Sequence, residues 1–342
     1  MKSRWTTLSI RMVIGSVFLM AAMAPVPAGA GTITLSYANF PPAPTFPCVQ
    51  MERWSKEVES RTGGKVKINT YPGGTLLGAK DMFDGVIAGQ ADIGCTSMAY
   101  QPGRFMVTNA TSLPMGIPNS RVGSLVLLDL YKLYNPTAFS KVKVLTMFTT
   151  APTNIMSKVP VRDLSDLKGL DLRASGGAAR ILDAWGANPV GMPMPATVEA
   201  LQKGVVKGLY SSLEVMKDFK FAETCRYATV NNTVIYPFAV FMNKDKWNSL
   251  PKDVQQVMDD LMVEQAEWTG TYMDNHVQEA IAWSKKTYNV EFIDLTPRQT
   301  DRWNELLKPI TAKYIQEATA KGLPATSIVN DLQELIKKHS MQ

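Results

Sequence analysis

The sequence has few of the residues from which most metal and catalytic centres are built. Its 342 residues include three cysteines, which lie far apart, and two histidines. Cys48, Cys95 and Cys225 could form at most one intramolecular disulfide, so disulfide bonds cannot build the fold. With only His276 and His339, a histidine-based metal site or a nucleophile–histidine pair lacks parts. We therefore expect no metal, no cofactor and no catalytic residues.

The first 30 residues have the composition of a secretory signal peptide. Basic residues precede the apolar run 12–24, and the small residues 28–30 offer a cleavage site. A membrane anchor is the alternative, but the run is well short of the roughly 20 residues that a span needs. We predict cleavage between Ala30 and Gly31, export to the periplasm, and no direct membrane insertion afterwards.

The chain also lacks a basic cluster of the kind that binds nucleic acid. The formal net charge is +6, and the first 30 residues carry three basic and no acidic side chains, which leaves about +3 for the rest. These charges are scattered among acids, which argues against a nucleic-acid or anionic-membrane partner. A mildly positive field suits small anions.

What the sequence does have is an alternation of strand and helix patterns, typical of parallel α/β sheets. With 45% apolar and 19% charged residues, the chain is long enough for two domains. The first half predicts strands at 32–38, 65–71 and 92–96 and helices at 48–62 and 80–88.

From about residue 150 the same alternation begins again, which predicts a second parallel sheet with right-handed crossovers. A helix of 36 residues at 251–286 would be about 50 Å long, enough to span both domains. The predicted strands are 170–173, 188–192, 208–211 and 239–242, and the other helices are 178–185, 196–203, 213–221, 297–321 and 327–339.

Parallel strands end at the same edge of a sheet, where α/β proteins commonly bind ligands. Arg173 ends the first strand of the second half, and small residues follow it. A bidentate arginine beside the amino end of helix 178–185 would bind a carboxylate or sulfonate. The residues at these strand ends are Asn39, Phe40, Ser97, Met98, Tyr100, Arg173, Ser175, Met194, Tyr210, Ser211 and Ser212.

Each of these features also has a structural interpretation. Arg173 could cap a neighbouring helix or pair with Asp171, the two glycines after Ser175 could form a tight turn, and Met194 could belong to the core. The sequence pattern alone favours neither interpretation.

The order of several segments closely resembles the solute-binding subunits of tripartite ATP-independent periplasmic (TRAP) transporters, of the dicarboxylate-binding type. The similarity covers nearly all of the chain after residue 30. The segments that carry it are FPCVQMERWSKEVESRTGGKVKINTYPGGTLLGAKDMFDGVIAGQADIG, LSDLKGLDLRASGG, GANPVGMPMPATVEALQKGVVKG and FMNKDKWNSLP.

The resemblance implies a two-lobed clamp of the periplasmic binding protein type, each lobe a mostly parallel sheet flanked by helices. Lobe I would comprise residues 31–150 and 239–278, and lobe II residues 151–238 and 279–342. In such a clamp Arg173 binds the carboxylate of an organic acid. Asn39, Ser97 and Tyr100 fall where lobe I supplies contacts, Ser211 falls where sialic-acid-binding relatives have an asparagine, and Tyr236 completes the set.

Two departures from the family pattern bear on the ligand. The family's "VDG" reads Val206-Lys207-Gly208 here, and Thr153-Asn154 stands where sialic-acid-binding relatives have a second arginine. With Asn154 in that place, a large sugar acid does not fit. We expect a small monoanion, a carboxylate or sulfonate with an apolar or aromatic body, delivered to the membrane permease by a monomeric binding protein.

Other functions on this fold stay open at this point. A sensor or scavenger would have the same fold and pocket. An exported hydrolase or isomerase is disfavoured because Ser175 lies in no G-x-S-x-G motif. A metal-assisted keto-acid site would need several acidic ligands, and Glu214 is the nearest candidate.

Overall fold

The computed structural model describes residues 31–341, in which eleven strands form two sheets. The predicted signal peptide lies outside the described residues. The strands are β1 Ile33–Asn39, β2 Val66–Tyr71, β3 Ile93–Ser97, β4 Val142–Thr149, β5 Asn154–Ser157, β6 Asp171–Ala174, β7 Asn188–Gly191, β8 Gly208–Ser211, β9 Tyr227–Val230, β10 Pro237–Asn243 and β11 Glu291–Asp294.

Within the same residues, thirteen α-helices cover the sheets. They are α1 Phe46–Arg61, α2 Met82–Ile87, α3 Met106–Asn109, α4 Ser120–Tyr134, α5 Leu164–Leu167, α6 Gly177–Ala184, α7 Thr197–Gln202, α8 Val215–Asp218, α9 Lys244–Ser249, α10 Lys252–Tyr288, α11 Pro297–Glu305, α12 Lys308–Thr319 and α13 Ala325–Ser340. No helix in the described part of the chain is both long and apolar enough to cross a membrane.

Each sheet is parallel except for one strand. The first sheet has the order β2-β1-β3-β10-β4, in which β10 runs antiparallel to both of its neighbours. The second has the order β11-β9-β5-β8-β6-β7, in which β5 is the antiparallel strand. The predicted α/β class, with two mostly parallel sheets flanked by helices, is confirmed.

The chain passes between the two sheets three times, once through α9 and α10 and twice through short segments that are hydrogen-bonded to each other. One joins β4 to β5, and the other joins β9 to β10. The Thr150 N–H donates to the Tyr236 carbonyl at 3.0 Å, and the Thr153 N–H donates to the Val234 carbonyl at 2.7 Å. These paired connections are where a hinge would lie, and the lobe boundaries given above stay a prediction.

Helix α10 packs against elements of both sheets. Its 37 residues contact α1, α4 and β4 on the first-sheet side and α8 on the second-sheet side. The closest approach is to α4, where a Cβ on Gly270 would lie 2.5 Å from the Arg121 Cα. Glycine is therefore needed there, and the long helix contacts both halves of the molecule.

Two predicted helices differ from the structure. The single helix predicted at 297–321 is two helices, α11 and α12, because Pro309 cannot donate the backbone hydrogen bond that a continuous helix would need there. The helix predicted at 213–221 is the short α8, and the chain leaves it through Lys220 at a left-handed φ of 56°.

Candidate functional site

A cavity lies between the two sheets, at the carboxyl ends of β3, β6 and β8. Its empty volume is about 450 Å³, part of which is open to solvent. Both sheets contribute to its wall, so a ligand inside would contact both halves of the molecule. Seven of the predicted site residues line it: Phe40, Ser97, Tyr100, Arg173, Met194, Ser211 and Tyr236.

Arg173 is held in the cavity wall by its own sheet. The side chain is 1% exposed, and its Nε and Nη2 donate to the Met192 carbonyl at 3.0 and 2.8 Å. Nη2 also donates to Ser175 Oγ at 2.8 Å. The remaining nitrogen, Nη1, is buried without a hydrogen-bond partner among residues 31–341.

The structure does not support the alternative roles considered for Arg173. Asp171 accepts a hydrogen bond from Asn188 Nδ2 at 3.2 Å instead, and no ion pair within the described residues includes Arg173. A guanidinium stays charged at any physiological pH, and a buried charge without a counter-ion is costly. The cavity therefore contains a fixed positive charge with one free donor.

Two tyrosines lie beside this arginine and connect neighbouring segments. The Met194 N–H donates to Tyr100 Oη at 3.1 Å, a bond between the first-sheet and second-sheet sides. Tyr236 Oη donates to the Tyr210 carbonyl at 3.1 Å and accepts from the Ser175 N–H at 3.3 Å. Burial raises the pKa of Tyr100 and of Tyr236, and the charge of Arg173 opposes that rise only in part. Both hydroxyls are neutral donors and acceptors at neutral pH.

Aromatic rings line much of the cavity. Phe40 and Phe238 stack with ring centroids 6.3 Å apart, and Phe46 meets Phe238 edge-on at 5.5 Å. Phe40 also meets Tyr100 edge-on at 5.4 Å. Phe219 adds a further ring to the wall. Such a wall binds an apolar or aromatic body better than a polyhydroxylated one.

Two acids also line the cavity, and neither adds a free negative charge. Glu214 is 1% exposed, and burial raises its pKa to about 8, so the carboxyl group is protonated at neutral pH. Its Oε1 accepts from Ser212 Oγ at 2.8 Å, whereas Oε2 is buried with no partner in the described part of the chain.

The second acid, Asp218, is already paired. Its Oδ1 lies 2.6 Å from His276 Nε2, and its Oδ2 accepts from the Phe46 N–H at 3.3 Å. The hydrogen bond to Asp218 raises the pKa of His276, which favours the imidazolium. This pair therefore connects α8, α10 and the amino end of α1 beside the cavity.

Three predicted site residues support the cavity from outside its wall. Asn39 Nδ2 donates to the Pro47 carbonyl at 2.7 Å, which holds the loop after β1. Ser175 and Ser212 hold Arg173 and Glu214 through the bonds given above. These three residues position the wall and do not form it.

Three other predicted residues lie elsewhere. Met98 Sδ accepts from Thr108 Oγ1 at 3.1 Å, and Asn154 Nδ2 donates to Asn232 Oδ1 at 3.0 Å. The ring of Tyr210 packs against Trp185, with centroids 5.5 Å apart. A strand end brings residues to the right edge, but alternate side chains point to opposite faces.

The amino end of α6 does not line this cavity, contrary to the expectation that its amides meet the anion. A Cβ on Gly176 would lie 3.0 Å from Ala99, and one on Gly177 would lie 3.4 Å from Ser112 Cβ. Both glycines line a separate cleft with Arg180. They allow close contact between the two sides of the molecule.

The sequence interpretation missed most of the apolar and acidic wall. The proline-rich loop after β1 and the acids just after β8 were the available signals. The lining residues outside the predicted set are Pro41, Thr45, Phe46, Pro47, Thr150, Val215, Asp218, Phe219 and Phe238, together with Glu214, which the sequence analysis named only as a candidate metal ligand. In the described residues, no group of three or more histidine, cysteine or acidic side chains is placed to hold a metal ion.

Comparison with known proteins adds to this geometry. The family model DctP, described as bacterial extracellular solute-binding protein, family 7, matches residues 41–317. The C4-dicarboxylate-binding periplasmic protein DctP of Rhodobacter capsulatus is 25% identical over 330 residues, which cover 91% of this chain and 95% of that protein.

Two solved structures are also similar. A TRAP periplasmic solute-binding protein of Desulfovibrio salexigens is 56% identical, with a TM-score of 0.81 over 90% of this chain and 97% of that one. It is an open complex with the C-terminus of a symmetry mate bound in its ligand-binding site. A marine metagenome TRAP protein specific for aromatic acids, in complex with 3-hydroxybenzoate, is 28% identical, with a TM-score of 0.86 over 91% and 99%.

Proposed function

Because the chain belongs to family 7 of the bacterial extracellular solute-binding proteins, which serve TRAP transporters, we propose that it captures a small organic monoanion in this cavity. The observation that carries the proposal is the buried Arg173 Nη1, a charged donor without a partner among the described residues. A carboxylate or sulfonate oxygen at this nitrogen would compensate the charge and complete its hydrogen bonds.

A single negative charge on the ligand follows from the charges in the wall. Arg173 is the one lining arginine, Glu214 is protonated at neutral pH, and Asp218 is paired with His276. A ligand with one acid group leaves the cavity close to neutral, whereas a dianion brings a second charge with no free cation to meet it.

The aromatic wall favours an apolar or aromatic body on that acid. The relative with 3-hydroxybenzoate bound is specific for aromatic acids, and the Desulfovibrio salexigens relative has a chain terminus in its ligand-binding site. A C-terminus carries a carboxylate, as 3-hydroxybenzoate does, so both bound groups support an acid group at the position of Arg173.

The proposed mechanism is capture by closure, without chemistry. Contacts from both sheets would stabilise the closed form, because a ligand shifts such an equilibrium only through its differential affinity. The two sides already touch through the Tyr100–Met194 bond. The TM-score is lower against the 56% identical open relative than against the 28% identical relative with ligand, as a closed arrangement would give.

The partners and location follow from the same proposal. Lobe I, residues 31–150 and 239–278, and lobe II, residues 151–238 and 279–342, would close around the acid. A monomer in the periplasm would then deliver the acid to the permease of an ion-gradient-driven TRAP transporter.

A thermal-shift screen of the purified exported protein tests the proposal. Carboxylates, sulfonates, amino acids and neutral sugars are compared at equal concentration. A ligand present at about 100 times its dissociation constant adds about 2.7 kcal/mol and raises the melting temperature by several degrees. Shifts from organic acids are expected. Shifts from neutral sugars alone would overturn the role given to Arg173.

A further inference from the structure

The cavity wall contains a second buried polar group, Glu214, which follows β8, whereas Arg173 lies in β6. The charge of Arg173 acts on Tyr100 and Tyr236. The charges that act on Glu214 are those of Asp218 and His276 instead. The aromatic wall accounts for most of the remaining lining. Arg173, these rings and Glu214 line the same cavity, so a ligand whose acid group lies at Arg173 has its body among the rings and within a wall that includes the buried Glu214 carboxyl group.

Glu214 is built into the wall in one orientation. Ser212 donates to Oε1 at 2.8 Å, and this leaves Oε2 buried without a partner in residues 31–341. An unpartnered buried polar atom costs free energy until something hydrogen-bonds to it. Among the described residues that line the cavity, Arg173 Nη1 and Glu214 Oε2 are thus buried polar atoms without a hydrogen-bond partner, and the first is assigned to the acid group of the ligand.

We propose that Glu214 Oε2 forms a hydrogen bond with a neutral oxygen of the ligand, which is then a monocarboxylate or monosulfonate carrying a hydroxyl or carbonyl group away from its acid. This inference rests on the proposed function and adds the second recognition point. It makes Glu214 the residue that distinguishes hydroxy or oxo acids from plain acids of the same shape.

The hydrogen-bond pattern decides between a neutral oxygen and a charged group. Because Oε1 accepts from Ser212, the acid proton of the neutral Glu214 is assigned to Oε2, which is then a buried donor without a partner among the described residues. A hydroxyl or carbonyl oxygen accepts that bond, whereas an ammonium group has no acceptor. A second carboxylate would find no free cation in the described cavity wall, because His276 is already paired with Asp218.

Titration calorimetry with a matched ligand series tests the inference. The probes are benzoate, 3-hydroxybenzoate and 4-hydroxybenzoate, with 3-(aminomethyl)benzoate and isophthalate as charged analogues. We expect at least one hydroxybenzoate to bind wild type at least tenfold more tightly than benzoate. We expect both charged analogues to bind more weakly than that hydroxybenzoate.

Variants then assign the preference to Glu214. Glu214→Met removes the hydrogen bond at similar side-chain length, and the ratio of hydroxybenzoate to benzoate affinity should fall to about one. Glu214→Gln keeps a donor and an acceptor and should retain most of the ratio. Glu199→Gln, the same change at an exposed residue of α7 that pairs with Lys203, should leave the ratio unchanged.

The outcomes separate this inference from the proposed function. If acids bind and depend on Arg173 but hydroxyl groups confer no preference, the role of Glu214 is wrong and organic-acid capture stands. If the aminomethyl analogue binds most tightly and Glu214→Gln abolishes that preference, Glu214 is a counter-ion for a cation and the inference fails. If no acid binds at all, the proposed function itself fails.

Discussion

Arg173 and Glu214 occupy equivalent places in the fold but have different electrostatic character. Each lies at the carboxyl end of one of two neighbouring strands, β6 and β8, and each is 1% exposed. Each is held by a serine, and each leaves one polar atom without a partner among the described residues. The difference is that a carboxyl group can neutralise itself by binding a proton, whereas a guanidinium cannot release one.

This difference is the reason why we propose different ligand groups for Arg173 and Glu214. At Arg173 the charge persists, so only an anion can compensate it. At Glu214 burial raises the pKa to about 8, and the group becomes a neutral hydrogen-bonding partner. Two ionisable residues, buried to the same degree, thus give one charged and one uncharged recognition point.

The most direct test of the contrast between Arg173 and Glu214 is to remove the charge of Arg173. Arg173→Met should weaken binding of the best organic acid by more than 100-fold, about 3 kcal/mol, because a buried acid group would lose its charged partner. Arg173→Lys should lose at least tenfold, since a lysine cannot reproduce the fork that bonds Met192 and Ser175. Calorimetry measures both losses.

A matched control uses a second arginine. Arg180→Met removes a half-exposed arginine that pairs with Glu317 on the surface, and binding should change by less than twofold. An affinity for the acid that is the same in Arg173→Met and wild type would sink the assignment.

The protonated state of Glu214 can be tested through the pH dependence of the free energy of unfolding. The pKa of Glu214 rises from 4.5 in the unfolded chain to about 8 on folding, so the folded state binds the proton more tightly. The contribution of this proton binding to the free energy of unfolding is therefore complete below pH 4.5 and is lost as pH rises toward 8. Glutamine does not titrate, so the free energy of unfolding of Glu214→Gln relative to wild type should increase by roughly 3 kcal/mol from pH 5 to 8.

Urea denaturation at several pH values measures this difference. Glu199→Gln, at an exposed site, should show a difference that is flat with pH. A flat profile for Glu214→Gln would mean that the carboxyl group is ionised in the folded protein, and the contrast with Arg173 would disappear.

The sequence predicted Arg173 better than it predicted Glu214, for a physical reason. Strand ends can be read from alternation and glycine, and parallel strands deliver their ends to one edge, where Arg173, Ser211 and Ser97 line the cavity. Which face a side chain takes beyond the strand depends on the loop that follows. Met98 follows β3 and does not line the cavity for this reason, whereas Asn154 and Tyr210 lie within β5 and β8, where alternate side chains point to opposite faces of the sheet.

The apolar wall was harder still to predict from the sequence. Phe46 in α1 and Phe238 in β10 are nearly 200 residues apart in sequence, and their rings meet only in the folded chain. The strand order of both sheets likewise depends on the antiparallel strands β5 and β10. Their reversed direction comes from the passage of the chain between sheets, which no local pattern specifies.

A third ionisable group at the cavity, Asp218, is neutralised in another way, by pairing with His276. The hydrogen bond to Asp218 raises the pKa of His276 above its ordinary value of 6.5. The stability that the protonated His276 gives to the folded protein is therefore present below pH 6.5 and is lost as pH rises through the raised pKa. Asp218→Asn should lower the pKa of His276 and cost about 1–2 kcal/mol of stability at pH 6.

Nuclear magnetic resonance of the ring protons measures the change, since the chain has only two histidines. Asp129→Asn, next to His339, is the control and should leave the titration of His276 unchanged. If the His276 pKa is the same in Asp218→Asn and wild type, the charge of His276 does not compensate that of Asp218. The cavity wall near Asp218 would then carry a free negative charge, contrary to the proposal.

The smallest expected effect concerns the contact that joins the two sides at Arg173. Tyr100→Phe removes the hydroxyl that accepts from the Met194 N–H and lies near the guanidinium. Because this bond forms only when the two sides meet, its loss should weaken acid binding three- to tenfold, about 1 kcal/mol, and change the melting temperature of the ligand-free protein little. Tyr131→Phe, in α4, is the control and should bind normally. An equal loss in both variants, or a large fall in ligand-free stability for Tyr100→Phe alone, would show that Tyr100 supports folding and not closure.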